Sequence, residues 1–199
     1  MIYMEKYRLR IWQVAMAVFL ICFSLLTMMA IHEFGHVLHA VLSGGRVERV
    51  VLHPLEISRT VVAPNPHPQF VAWGGAIWGT VIPLAVLAMT WVTARKYTYL
   101  AAFIAGFCCL ANGLYLAVGS FAGVGDAGDL LRHGAVQWQL WLFGVPVSIL
   151  GLWLWNGLGP QFGFGPANGK VDSRIVTGLG VALATTVLLE LLLSSRTYR

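Results

Sequence analysis

Between Arg10 and Glu33 the chain has no Asp, Glu, Lys or Arg. The uncharged run from Ile11 to Ile31 already matches the roughly 20 helical residues that a bilayer crossing takes. No other feature constrains the fold as much, because a helix that is apolar all round is stable only in lipid or deep inside a large core. The chain repeats the pattern: Phe70 to Thr93, Tyr97 to about Gly119, Val136 to about Leu158 and roughly Ile175 to Leu193 are all long and apolar. Composition agrees, with 58% hydrophobic and only 11% charged residues, where soluble domains carry about a quarter charged. The expected fold class is an all-α polytopic membrane protein. It has five spans if the first helix runs tilted from Ile11 to Leu42, or six membrane segments if that helix breaks near Met28. All are expected to belong to one domain, residues 1–199, with no internal repeat.

The remaining composition mostly excludes. A net charge of +5 and a pI near 9.4 suit nucleic acid in principle. The 13 Lys and Arg residues are, however, spread over loops and termini with no basic stripe. No nucleic-acid partner is expected, and contact with the anionic headgroups of a lipid bilayer accounts for the charge. Those cations divide seven to six between the two sides of a five-span layout, so the positive-inside rule does not orient the chain. Cys22, Cys108 and Cys109 sit in apolar runs without metal-ligand spacing and read as small buried hydrophobes. The first apolar run is too long for a signal-peptide core and lacks a small-x-small cleavage site, so it is expected to be retained.

Past Gly44-Gly45 the pattern changes. The segment "GRVERVVLHPLEISRTVVAPNPHP" is rich in Val and Ile, is interrupted by Pro54 and closes on Pro64, Pro66 and Pro68. This reads as two short strands and a turn, a small β-hairpin at the membrane surface after the first helix.

The end of the first apolar run carries the chemistry. His32, Glu33 and His36 form a His-Glu-x-x-His motif. On a helix, residues four apart lie on one face, so both imidazoles can bind one Zn²⁺ at about 2.0 to 2.1 Å. Glu33 is offset by about 100° around the axis, within reach of a metal-bound water rather than the metal, where a general base belongs. Ionisable residues are scarce inside membrane segments and are usually functional there, which separates this motif from a chance match. Two histidines hydrogen-bonded to neighbouring helices is the plainer alternative.

A catalytic zinc needs a third protein ligand. From His36 the chain leaves the membrane, crosses through Phe70 to Thr93 and returns through Tyr97 to Gly119. "GVGDAGDLLRHG" therefore emerges on the face that holds the histidines. Asp172 lies one crossing further on, on the wrong side, and so does Glu5 if the first helix is continuous. Asp126 is the expected third ligand, with Asp129 as the alternative; a helix N-cap at Asp126 is the non-functional reading.

With these residues in view the chain resembles the site-2 protease family of intramembrane zinc metalloproteases, especially its compact bacterial members. The resemblance rests on "AIHEFGHVLHAVLSGGRV" and the later aspartate segment, roughly Leu20 to His133. It implies His32, His36 and Asp126 as zinc ligands and Glu33 as catalytic base, in an integral protein of the bacterial cell membrane. The chain departs from the family's Leu-Asp-Gly triplet, where "GVGDAGDLL" stands instead. Asn112 lies further upstream than the family's Asn-Pro pair, and is either a substrate or oxyanion contact or a helix-packing amide. No PDZ-like module is expected within these residues.

Other residues carry less. His39 reads as a packing histidine, with a spare ligand as the alternative, while His53, His67 and His133 fall in loops. Trp138, Trp141, Trp153 and Trp155 suit interfacial anchoring. Glu190, near the end of the last helix, is expected to snorkel. The function expected is hydrolysis of a transmembrane protein substrate by a Glu33-activated, zinc-bound water. The alternative is a non-catalytic metal-binding scaffold or metal-handling membrane protein, for which Glu33 would have no purpose.

Overall fold

The computed structural model describes the backbone over residues 2–197 and side chains over residues 7–194. Glu5 therefore lies outside the described side chains. The first helix, α1, is unbroken from Ile2 to Leu42. Its 41 residues make a rod of about 62 Å, twice the thickness of the hydrocarbon layer. Nothing interrupts it near Met28, because Met, Ala and Leu favour helix and no Pro or Gly occurs before Gly35. It ends where Gly44 adopts a φ of 76° and the Gly45 amide donates back to Ala40.

Two strands follow, β1 (Val47–Val51) and β2 (Arg59–Val62), paired antiparallel with Val50 opposite Thr60. The hairpin is the expected one, but its placement differs from a cover over the membrane surface. It doubles back along α1 until the Thr60 hydroxyl donates to Glu33 at 2.7 Å, and about 13 Å of helix separates Glu33 from Leu42.

The remaining helices are α2 (Pro68–Thr93), α3 (Thr98–Ala122), the short α4 (Gly125–Arg132), α5 (Gln137–Trp155) and α6 (Ser173–Thr197). Five of the six helices, all but α4, are long and apolar enough to cross a membrane. Small residues let the central helices meet backbone to backbone. A Cβ on Gly35 of α1 would fall on the Gly74 carbonyl of α2, and one on Gly74 would meet the Gly35 backbone in return. Gly113 of α3 and Gly144 of α5 do the same for the neighbouring pair. Cys108 and Cys109 are fully buried and unpaired, as their apolar setting suggests.

One apolar cluster matters for the site. Ala72 and Ala76 of α2, Leu116 of α3, Ala127 and Leu130 of α4 and Leu140 of α5 pack together. They seat α4 against the helices, although it lies outside the spans. On the outer surface α1 and α6 expose Val14, Val18, Leu188 and Leu192, as lipid-facing helices must. Glu190 does not snorkel. α6 packs on α1 and β1, and Glu190 is 4% exposed, its carboxylate without a hydrogen-bond partner among the described residues.

Candidate metal centre

α1 places His32 one turn before His36, and their rings stand edge to face with centroids 4.8 Å apart. α3 and the Gly123 turn bring α4 back to the same end of the bundle, and Asp126 in its first turn meets both rings. Asp126 Oδ2 lies 2.8 Å from Nε2 of His32 and 3.2 Å from Nε2 of His36, while the two Nε2 atoms are 3.1 Å apart. Three donor atoms, two from α1 and one some 94 positions later, thus form a near-equilateral triangle.

The far sides of the rings decide what that triangle can hold. His32 Nδ1–H donates to Asn112 Oδ1 at 2.7 Å, and His36 Nδ1–H donates to the Val71 carbonyl at 2.8 Å. Asn112 is oriented in turn, its amide donating to the Cys108 carbonyl. With the protons on Nδ1, each neutral imidazole offers a lone pair from Nε2. Two lone pairs and a carboxylate oxygen facing one another fit a cation between them. The spacing fits as well, since ligands about 2.0 to 2.1 Å from a tetrahedral zinc stand about 3.3 Å apart. Asp126 contributes a carboxylate oxygen, the one donor of the three that carries a formal negative charge when ionised.

A second observation agrees. α2 passes the triangle with Gly75, where a Cβ would come within 2.5 Å of Nε2 of both His32 and His36. Any side chain there would fill the cradle that both nitrogens address. Sequence reading had passed over Gly75; the one signal was a Gly74-Gly75 pair in an otherwise bulky helix.

The structure separates the other candidates. Asp129 is one turn further along α4, pairs with Arg132 and stays outside the triangle. His39 is fully engaged as a packing residue, donating from Nδ1 to the Phe70 carbonyl and accepting the Trp78 indole N–H at Nε2. Asn112 sets the orientation of His32, a role that distance along the sequence did not reveal. Asp126 does not cap α4, because the N-cap position is Val124, with no side-chain cap.

Glu33 is 3% exposed, and its Oε2 accepts the Thr60 hydroxyl. Glu33, the triad, Thr60, Tyr115 and the hairpin tip line a cavity of about 1110 Å³. His133 reaches its rim, with Nδ1 bonded to the Asp129 carbonyl. Leu55 and Ile57 at the hairpin tip are almost fully exposed.

The buried His32 and His36 of a helix long and apolar enough to cross a membrane thus meet the half-buried Asp126 of α4 beside a cavity that Glu33 lines, a donor set that could hold a metal ion. The family model for Peptidase M50B-like proteins matches residues 6–155, and the chain belongs to that family. Members of the M50 group are in general zinc-dependent, membrane-embedded proteases of the site-2 type. No curated protein and no solved structure matches the chain.

Proposed function

We propose that the chain is an intramembrane zinc metalloprotease that hydrolyses peptide bonds of membrane-spanning proteins. The convergence of His32, His36 and Asp126 on one point, with both Nδ1 atoms anchored behind them, carries this reading. Zinc held by these three residues would supply a Lewis acid for the scissile carbonyl and would lower the pKa of a neighbouring water toward about 7.

The chain's own residues do the rest. Glu33 takes the proton from the attacking water as its oxygen bonds to the carbonyl carbon. It then returns that proton to the amine as the C–N bond breaks. Thr60 engages one carboxylate oxygen, leaving the other to face the water. A substrate helix has to unwind first, because helical carbonyls are bonded within the helix. β2 belongs to a sheet of two strands, and its residues Arg59 to Val62 line the cavity, so its outer edge is one on which an unwound segment can pair. The cavity beside it has the room, and Met28, Met29 and Leu55 give that cavity apolar walls.

Glu33 distinguishes this reading from a metal-holding scaffold, because a structural zinc has no use for a buried carboxylate beside its ligands. Cleavage of a transmembrane reporter in detergent or liposomes tests it, with zinc content measured in parallel. Glu33→Gln is expected to lose at least about 100-fold in rate while keeping its zinc, and His36→Ala to lose the zinc. Normal cleavage by Glu33→Gln would remove Glu33 as the base. Stoichiometric zinc in His36→Ala would remove His36 from the ligand set.

A further inference from the structure

Asp126 is the one member of the triangle that does not come from α1, and it lies in the first turn of a helix of only 8 residues. A carboxylate on so short an element needs its backbone held. No side chain of α4 or its flank provides this, since Val124 at the N-cap offers no polar atom. Tyr115, on the neighbouring α3, stands in that place: its hydroxyl oxygen accepts the Asp126 backbone N–H at 3.3 Å. Helix ends leave their first amides unpaired, and here the partner is a phenol from another helix.

Two further observations meet at the same atom. Gly125 has a φ of 55°, and a Cβ on it would fall on the Tyr115 hydroxyl. Glycine is needed at 125 both for the backbone conformation and for the closeness of that oxygen. On the other side, the Tyr115 ring meets the His32 ring edge to face, with centroids 5.9 Å apart. One residue therefore touches both halves of the metal set, the α1 histidine through its ring and the α4 aspartate through its hydroxyl.

We propose that Tyr115 is a positioning residue of the metal centre: its hydroxyl caps α4 from outside and fixes where Asp126 Oδ2 stands relative to His32 and His36. This rests on the metal-centre reading above. Tyr115 is bound to neither cation nor substrate in this role; it acts through Asp126. Loss of such a supporting contact typically lowers metal affinity about 10- to 100-fold.

Tyr115→Phe isolates the hydroxyl, because it keeps the ring against His32. In the full-length protein in detergent, zinc affinity by competition with a chromophoric chelator is expected to fall at least about 10-fold, with an unchanged thermal melt. The visible spectrum of the cobalt-substituted protein is expected to change as the carboxylate moves. A double-mutant cycle separates positioning from general loosening. In an Asp126→Asn background, Tyr115→Phe should weaken metal binding no further, whereas a merely structural effect would add. Wild-type zinc affinity and cobalt spectrum in Tyr115→Phe, or full additivity in the cycle, would overturn the proposal and leave the metal reading standing. A wild-type protein that takes up no zinc would overturn both.

Discussion

Gly75→Ala tests the metal centre without touching any group that could bind a metal. The added methyl would lie 2.5 Å from Nε2 of His32 and of His36, and 2.7 Å from Cε1 of His32. Ordinary contact for a Cβ starts at 3.4 Å, so something must give by about 0.9 Å. α2 cannot retreat easily, because Gly74 is in backbone contact with Gly35 of α1. The rings cannot swing easily either, since Asn112 and the Val71 carbonyl hold their Nδ1 atoms. Metal–ligand distances tolerate only about 0.2 Å, roughly a quarter of the displacement required. Zinc affinity should therefore fall more than about 100-fold, which is about 2.8 kcal/mol. Alanine is a better helix former than glycine by roughly 0.8 to 1.0 kcal/mol, so α2 itself gains local propensity and the helical content should persist. The assay is chelator competition on detergent-solubilised protein, with circular dichroism to confirm the fold. Zinc bound with wild-type affinity by a folded Gly75→Ala protein would refute the reasoning, because the cradle would then not be where the cation sits.

The two aspartates make a second, internally controlled test. Asp126→Asn should weaken zinc binding by at least about 100-fold, beyond the range of lost supporting contacts, whereas Asp129→Asn should stay near wild type because its partner is Arg132; the reverse ranking would move the third ligand. At the base, Thr60→Val should lower kcat with KM and zinc content little changed, and Thr60→Ser should restore it by restoring the hydroxyl that meets Glu33. Equal activity of the Val and Ser variants would show that the hydrogen bond does not position the base.

The parts of this molecule that were legible in its sequence are those governed by periodicity and counting. Uncharged runs marked the spans, and the parity of two crossings returned Asp126 to the face of His32. The Val-rich segment broken by proline marked the hairpin. The illegible parts depend on how helices are rotated about their axes, which no spacing reports. Gly75 reads as one more small residue until α2 is turned to present it to two ring nitrogens. Asn112 read as a substrate or packing amide because nothing in the chain says that its side chain meets Nδ1 of His32. Glu190 broke an expectation for a related reason: proximity to a helix end suggested an exit to water, but it lies buried on a helix that packs against α1 and β1.

The depth of the hairpin ties these elements into one argument. Strand edges carry unpaired backbone groups, which hydrocarbon does not tolerate unless protein buries them or water reaches them. Because Thr60 sits level with Glu33, well below the end of α1, the edge of β2, whose residues line the cavity, has to meet water there rather than lipid, while β1 packs on α6. The proposed hydrolysis would impose the same condition, since Glu33 would need a water beside the triangle of His32, His36 and Asp126. A substrate strand entering that cavity would take over the hydrogen bonds of the water it displaces at the hairpin edge, so unwinding costs the substrate helix fewer unpaired amides there than anywhere else in the membrane. Thr60 belongs to the strand that would receive the substrate and also donates to Glu33, the proposed base, so docking and chemistry would meet in a single side chain. In this reading the hairpin is part of the catalytic cavity rather than a surface appendage.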